Sequence, residues 1–353
     1  MAVDVPCRRR GVVPPYLLER LAHEAPEPLR YHAQLTRDTT ERLRAQRNQG
    51  IAAGLRRSAA AAVSSAVQRH IHDARNGSAL PGTLVRGEGD PAGGDVAVNE
   101  AYDYLGATHA FYLEVYGRNS IDDRGLPLVG SVHYEHDYDN AFWNGEQMVF
   151  GDGDGKVFNR FTIALDVVGH ELTHGVTEHS ANLAYQDQAG ALNESVSDVF
   201  GALIKQHANG QSADQADWII GEGLLASGIN GVGLRSMKAP GTAYDDPLLG
   251  KDPQPATMDG YVRTQDDNGG VHYNSGIPNH AFYLAAVAIG GAAWDKAGRI
   301  WYRALTGGQL AAEADFAAFA ALTAQVAAAD YGAGSAEARA VQQAWRDVGV
   351  AVQ

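Results

Sequence analysis

Two histidines four residues apart, His170 and His174, enclose a glutamate at Glu171, and a second glutamate, Glu194, follows within Asn193-Glu194-Ser195-Val196-Ser197-Asp198. On a helix of about 3.6 residues per turn, positions four apart lie one above the other, so both imidazoles reach a single cation. Glu171 sits one position round from that face, where it touches a water held by the metal without being a ligand itself. Two neutral imidazoles and one carboxylate are the three protein ligands of a catalytic zinc site, whose fourth position is left to water. A His-Glu-x-x-His string also arises by chance on a polar helix face, so the flanks have to decide. Phe161 to Gly169 carries apolar residues at helical spacing, which gives the predicted helix a buried side. Downstream, Ala191 to Ile204 repeats the pattern and puts Glu194 and Asp198 on one face. Asp198 can there orient a ligand histidine through its free ring N–H.

The rest of the chain has to bring these two helices together. Val12-Val13-Pro14-Pro15-Tyr16-Leu17-Leu18 is a proline-punctuated stretch, followed by a helical pattern around residues 36–49. Ala59 to Ser65 is a small-residue linker, exposed and open to cleavage. From Gln68 the chain turns strand-like to Asp73, and Val96-Ala97-Val98-Asn99 opens a helix predicted from Glu100 to Tyr116. Val129 to Tyr134 alternates apolar and polar, and Met148-Val149-Phe150 precedes an Asp-Gly turn, both readable as strands. After residue 160 helices dominate, with alanine-rich amphipathic runs at 280–289, 295–305 and 315–329 and a closing one at 341–348. The fold class implied is α+β, with a mixed lobe ahead of an all-α lobe. Clefts between lobes are where ligand sites tend to lie.

With 353 residues, 45% hydrophobic and 20% charged, the chain can build two cores and is far from the disordered regime. No window approaches eighteen uninterrupted apolar residues, so no membrane span or membrane partner is expected. The N-terminal stretch lacks the basic-then-apolar order of a secretory signal. A single cysteine, Cys7, rules out internal disulfides. Residues 1–75 carry thirteen Lys/Arg against seven Asp/Glu, a net +6, and residues 76–353 carry fifteen against thirty-five, a net −20. The run Arg8-Arg9-Arg10 is too short and the body too acidic for nucleic-acid binding. A basic arm attracted to its own acidic body is the expected use of this asymmetry.

Six ordered blocks resemble the thermolysin family of metallopeptidases over roughly residues 76–353. They are Asn140-Ala141-Phe142-Trp143, the Met148-to-Gly155 turn, the His-Glu-x-x-His helix, Gly190-to-Asp198, Leu234-Arg235-Ser236-Met237, and Asp267-to-Asn279. The resemblance implies a thermolysin-like two-lobe fold, β-rich and mixed in the N-terminal lobe and all-α in the C-terminal lobe, with the zinc helix between them. It divides the chain into an inhibitory arm and linker at 1–60, an N-terminal lobe with the zinc helix at 61–180, and a helical lobe at 181–353.

The chemistry implied is zinc-dependent endopeptidase activity on polypeptides. His170, His174 and Glu194 hold one Zn²⁺, Glu171 is general base and then acid, and Asp198 supports a ligand histidine. The oxyanion donors are His272 and Tyr185, with Asp267 paired to His272. For Tyr185 a core aromatic is the competing reading. Asn140 and Ala141 pair with the substrate backbone as an added strand. Phe158, Phe161, Val167, Ile220, Leu224 and Leu234 wall the pocket for the residue just after the cleaved bond, and are equally readable as core. Arg235 at the pocket edge bonds a substrate carbonyl. A bulky hydrophobic residue in that pocket gains about 1.5–3 kcal/mol on burial.

Calcium marks a departure from the family pattern. Asp166, Asp217 and Glu222 stand at positions of a double calcium site, but Lys205 and Ile219 occupy places where further acids are expected, so at most one structural Ca²⁺ is expected. Aspartates that bind no ion are the other reading. The arm is similar to the short propeptide of the protealysin-like branch, in which a cysteine lies upstream of Pro-Pro-Tyr-Leu-Leu. Cys7 is then either a thiolate that completes the zinc shell in the precursor, with the arm an intramolecular inhibitor, or a free terminal thiol. A monomer is expected, exported by a non-classical route by family analogy, or else cytoplasmic. The alternative to a latent enzyme is a zinc-stabilised binding or adhesion protein, whose mark would be loss of the base; Glu171 is present.

Overall fold

The computed structural model describes residues 11–52 and 66–352. Cys7 and the 59–65 linker lie outside the described residues. Two arm helices come first, α1 (Pro15–Glu24) and α2 (Leu29–Ala52). Proline at the first turn of α1 loses nothing, because that N–H has no intrahelical partner. Leu17, Leu18 and Leu21 of α1 are buried in the same core as the rest of the molecule.

A five-stranded sheet follows, from β1 (Arg69–Asp73), β2 (Thr83–Gly87), β3 (Leu128–Val132), β4 (Ala141–Trp143) and β5 (Met148–Phe150), with α3 (Val96–Tyr116) between β2 and β3. The order is β2-β1-β3-β5-β4. The β1–β3 and β3–β5 pairs are parallel and the two outer pairs antiparallel. Next come α4 (Leu165–Glu178) and α5 (Asp187–Asn209), and then two short ribbons, β6 (Ile219–Ile220) with β7 (Arg235–Ser236) and β8 (Asp245–Asp246) with β9 (Gly250–Lys251). The helical lobe ends with α6 (Asp267–Asn274), α7 (Gly276–Ile289), α8 (Ala297–Thr306), α9 (Phe316–Tyr331) and α10 (Ala336–Asp347). This is the α+β, two-lobe division expected from the sequence. No helix among the described residues is long and apolar enough to cross a membrane.

What positions the site is the packing of α4 against α5. Gly201 makes it possible, since a Cβ there would stand 2.5 Å from the Asp166 carbonyl oxygen and 3.2 Å from the His170 nitrogen. With Gly169 opposite Ile204 and Gly201, the two backbones approach closely enough for His170, His174 and Glu194 to converge.

Several boundaries differ from expectation, among them α2 at Leu29–Ala52, α5 at Asp187–Asn209 and α10 at Ala336–Asp347, and two of the shifts have a visible cause. Helix α3 begins at Val96 rather than Glu100, because the Asp95 carboxylate caps it, accepting from the N–H groups of Ala97 and Val98. Strand β3 stops at Val132 rather than Tyr134, because His133 takes φ 53°, which ends the extended run.

His133 lies between two carboxylates, Nδ1 2.8 Å from Asp152 and Nε2 2.9 Å from Asp95. The Asp152 hydrogen bond, with Asp95 adding to it against burial, raises its pKa from 6.5 to about 9. A group raised on folding stabilises fully below its unfolded pKa and stops doing so as pH rises through the folded one. The melting temperature is therefore expected to fall between pH 6.5 and about 9. A His133→Asn variant should lack that part of the slope when melting is followed across the same range.

Candidate active site and metal centre

His170, Glu171 and His174 project from α4 and Glu194 from α5, all essentially without solvent exposure. One ligand atom from each of His170, His174 and Glu194 lies within 4.8 Å of the others. The tautomers follow from the outer partners. His170 Nδ1 is 2.8 Å from Asp198 Oδ1, and His174 Nδ1 is 2.8 Å from the Asn193 side-chain oxygen and 3.0 Å from Ser197 Oγ. Acceptors at both Nδ1 atoms leave lone pairs on both Nε2 atoms. Those Nε2 atoms face each other at 3.1 Å, with Glu194 oxygens 3.4 and 3.5 Å away. Two lone pairs and a carboxylate that converge in a dry site repel each other unless a cation lies among them. Glu194 Oε2 is buried without a hydrogen-bond partner, which fits the same cation. The donor set, two imidazole nitrogens and one carboxylate, is that of catalytic zinc.

Glu171 does not join this group. Its Oε2 accepts from the Trp143 backbone N–H at 2.9 Å, and its Oε1 is buried without a hydrogen-bond partner. Burial raises its pKa to about 7, against the opposing influence of His170 and the Trp143 N–H. A carboxylate in that range can both take and return a proton near neutrality.

On the other side of Glu194 stand Tyr185 and His272. The Tyr185 hydroxyl bonds Glu194 Oε1 and lies 3.3 Å from His272 Nε2. The backbone of α6 starts through left-handed Asp267, Asn268, Gly269 and Gly270, which turns Asp267 back onto His272. Asp267 accepts from the His272 backbone N–H and from its Nδ1, both at 2.7 Å. Burial opposes charge on His272, but Asp267 and Glu194 outweigh it and raise the pKa to about 9. His272 is thus a cationic donor at neutral pH, and Tyr185 faces the metal ligands with its hydroxyl.

Asp198 connects the centre to the cleft. Besides His170 it receives Arg235 through Nε and Nη2, both at 2.8 Å, and the Asn279 amide at 2.8 Å. Burial alone would raise its pKa; Arg235 and His170 hold it well below the usual carboxylate range. Arg235, fixed in this way, donates Nη1 to the Val12 carbonyl at 2.9 Å. The Val12 N–H donates to the Ala141 carbonyl at 3.2 Å and the Val13 N–H to Asn140 Oδ1 at 3.1 Å. The arm therefore lies along β4 on the three groups expected to bind a substrate backbone. Val12 is fully buried in one core with Phe158, Phe161, Val167, Ile220, Leu224 and Leu234. Tyr16 packs on Tyr273, ring centroids 4.4 Å apart, and Arg20 Nε bonds the Leu248 carbonyl at 3.1 Å.

Asp166, Asp217 and Glu222 also converge, and what they surround is Lys205. Its ammonium lies 3.4 Å from Asp166, 2.8 Å from Asp217, 3.0 Å from Glu222 and 3.3 Å from the Ile219 carbonyl. Burial would lower its pKa, but the carboxylates prevail and raise it. The oxygens that a cation would need are engaged by one belonging to the chain.

The sequence reading missed Val12 as the partner of Ala141 and Arg235, and Asn193, Ser197 and Asn279 as supports. Asn193 and Ser197 flank Glu194 at helical spacing, a signal that was present; Val12 and Asn279 carry none, being far from their partners along the chain.

Comparison with known proteins agrees with this geometry. Residues 57–178 match the catalytic domain, and residues 181–350 the alpha-helical domain, of the thermolysin metallopeptidase family models. An extracellular metalloprotease of Pectobacterium carotovorum subsp. carotovorum is 56% identical, over 97% of this chain and 97% of that protein. Protease PrtS of a Photorhabdus species is 51% identical, over 98% and 93%. The solved precursor of protealysin, a metalloproteinase from Serratia proteamaculans, superposes with a TM-score of 0.89 at 57% identity, covering 97% of this chain and all of that one. With the zinc ligands converging between the lobes, the chain belongs to the thermolysin family, in its protealysin-like branch, and is a zinc metalloendopeptidase.

Proposed function

We propose that the chain is a latent endopeptidase that cuts on the N-terminal side of bulky hydrophobic residues, with its own arm as the inhibitor. The observation that carries this is the arm itself: Val12 is fully buried in the core that also holds the residues read as the pocket wall, and the arm backbone at Val12 and Val13 uses Ala141, Asn140 and Arg235. An occupied cleft admits no substrate. Removal of the arm uncovers it, and a leucine or phenylalanine that replaces Val12 there buries more apolar area.

Bound zinc supplies Lewis-acid polarisation of the scissile carbonyl and lowers the pKa of water. Glu171 accepts the attacking water's proton and returns it to the leaving nitrogen. His272 and Tyr185 donate to the oxygen on which charge develops, with Asp267 keeping His272 cationic. Asn140, Ala141 and Arg235 hold the substrate backbone in line. The buried, unpartnered Glu171 Oε1 speaks for turnover rather than for a binding protein that only keeps the fold. Action outside the cell is consistent with the relative called extracellular.

The test is an assay of the full chain, before and after cleavage in the linker, on peptides that differ only after the scissile bond. Activity should rise on cleavage, favour leucine and phenylalanine by about tenfold over alanine, and vanish with a zinc chelator. Equal rates before and after removal of the arm would refute latency, and equal rates for alanine would refute the pocket.

With Lys205 in the acidic cluster, no calcium is expected there. Millimolar calcium should leave the melting temperature unchanged. Lys205→Met should destabilise by roughly 2–3 kcal/mol, less than a fully buried pair because Glu222 is 61% exposed. Tight calcium binding at these carboxylates in the parent would contradict the assignment.

A further inference from the structure

The three bonds that hold the arm backbone, from Val12 and Val13 to Ala141, Asn140 and Arg235, also set its register. Going towards the C-terminus, the arm meets Ala141 through Val12 and then Asn140 through Val13, so it runs antiparallel to β4. In that antiparallel pairing the residue before Val12, Gly11, is directed towards the Trp143 end of β4. The Trp143 N–H and the Ala141 carbonyl point from the same edge of β4, since residues two apart in a strand share an orientation. The first of these groups holds Glu171 and the second holds the Val12 nitrogen. The Gly11–Val12 peptide thus lies on the edge of β4 from which the Trp143 N–H holds Glu171.

We propose that the enzyme hydrolyses its own Gly11–Val12 bond, a cut in the arm distinct from one in the linker. This rests on the endopeptidase reading above. Val12 meets the requirements of the residue after a cleaved bond, with its side chain fully buried, its carbonyl on Arg235 and its N–H on Ala141. Gly11 meets those of the residue before it, because a Cβ there would stand 3.1 Å from the Asn140 amide nitrogen and 3.4 Å from the Ala141 oxygen. A bare α-carbon lets the peptide settle against β4.

The step balances with water alone. The water oxygen bonds to the Gly11 carbonyl carbon, and the bond from that carbon to the Val12 nitrogen breaks. Glu171 carries one proton from the water to that nitrogen. Gly11 leaves as a carboxylate and Val12 remains as an amine. The cut releases residues 1–11 without releasing the rest of the arm, because Leu17, Leu18 and Leu21 stay in the core and Arg20 stays on Leu248. The new chain end at Val12 then occupies the cleft as a bound product until the linker is cut.

The experiment follows the full chain by intact mass and N-terminal sequencing, and separately measures turnover of an unrelated glycyl-leucyl peptide by the enzyme after cleavage in the linker. A synthetic peptide of residues 8–18 is given to the same linker-cleaved enzyme as a second measurement. Expected results are a chain beginning at Val12, absent from the Glu171→Gln protein, and a cut in the synthetic peptide between Gly11 and Val12. Placing aspartate at the Val12 position of that peptide should slow its cleavage at least about tenfold, a comparison that does not depend on a variant chain folding. Turnover of the unrelated peptide with no cut at Gly11–Val12, in chain or peptide, overturns this proposal and leaves the endopeptidase reading standing. No turnover of any peptide overturns both.

Discussion

Glu171→Gln is expected to lower kcat/KM on a peptide substrate by about 10²–10⁴-fold, the range of general acid–base catalysis, and by the upper end of it because one carboxylate serves both proton transfers. Glutamine keeps the shape and can still accept the Trp143 N–H, so the fold and β4 should be unaffected. It has no basicity to take a proton from water. Zinc content should match the parent, since the three converging ligand atoms come from His170, His174 and Glu194 alone. The measurement is a pair, turnover and bound metal on the same preparation. A variant that loses zinc would place Glu171 among the ligands, and one that keeps more than a tenth of the activity would remove it from the proton path.

How much of this was legible depended on how far the partners lie apart along the chain. The zinc ligands were readable because helical periodicity places positions 170 and 174 on one face, and 194 and 198 on another. Helix α5 and the helical lobe were readable for the same reason. The start of α3 was not, because one capping aspartate decides it and the apolar residues before Glu100 fit strand or helix equally well. The end of β3 was not, because it depends on His133 adopting a left-handed backbone between two carboxylates from other segments. Lys205 stood out as a basic residue where an acid belonged, but only the fold shows that its ammonium sits among all three carboxylates. The arm's Pro-Pro-Tyr-Leu-Leu stretch drew attention to itself, while the register that sets Val12 on Ala141 and Val13 on Asn140 is a property of pairing with β4, which no local pattern encodes.

Asp198 shows the same limit, and it leads to the second large effect. Its spacing from Glu194 announced a support for a histidine; its hold on Arg235, thirty-seven residues on, did not show. One carboxylate thus sets both the tautomer of a zinc ligand and the position of the group that binds a peptide carbonyl. Asp198→Ala should therefore fail in two ways at once. Losing the partner of His170 Nδ1 should weaken zinc binding by about 10–100-fold, the usual cost of removing such a support. Leaving Arg235 buried without its counter-charge should destabilise the fold by about 3–5 kcal/mol, since only 1% of Arg235 is exposed. Asp198→Asn separates the two effects, because an amide can still accept from His170 while its charge is gone. Chelator competition should then show a smaller loss of zinc affinity than in the alanine variant, while KM rises as Arg235 loses its anchor. If both variants keep parental zinc affinity and KM, Asp198 is a packing residue, and the coupling between metal centre and substrate backbone has to run through another group.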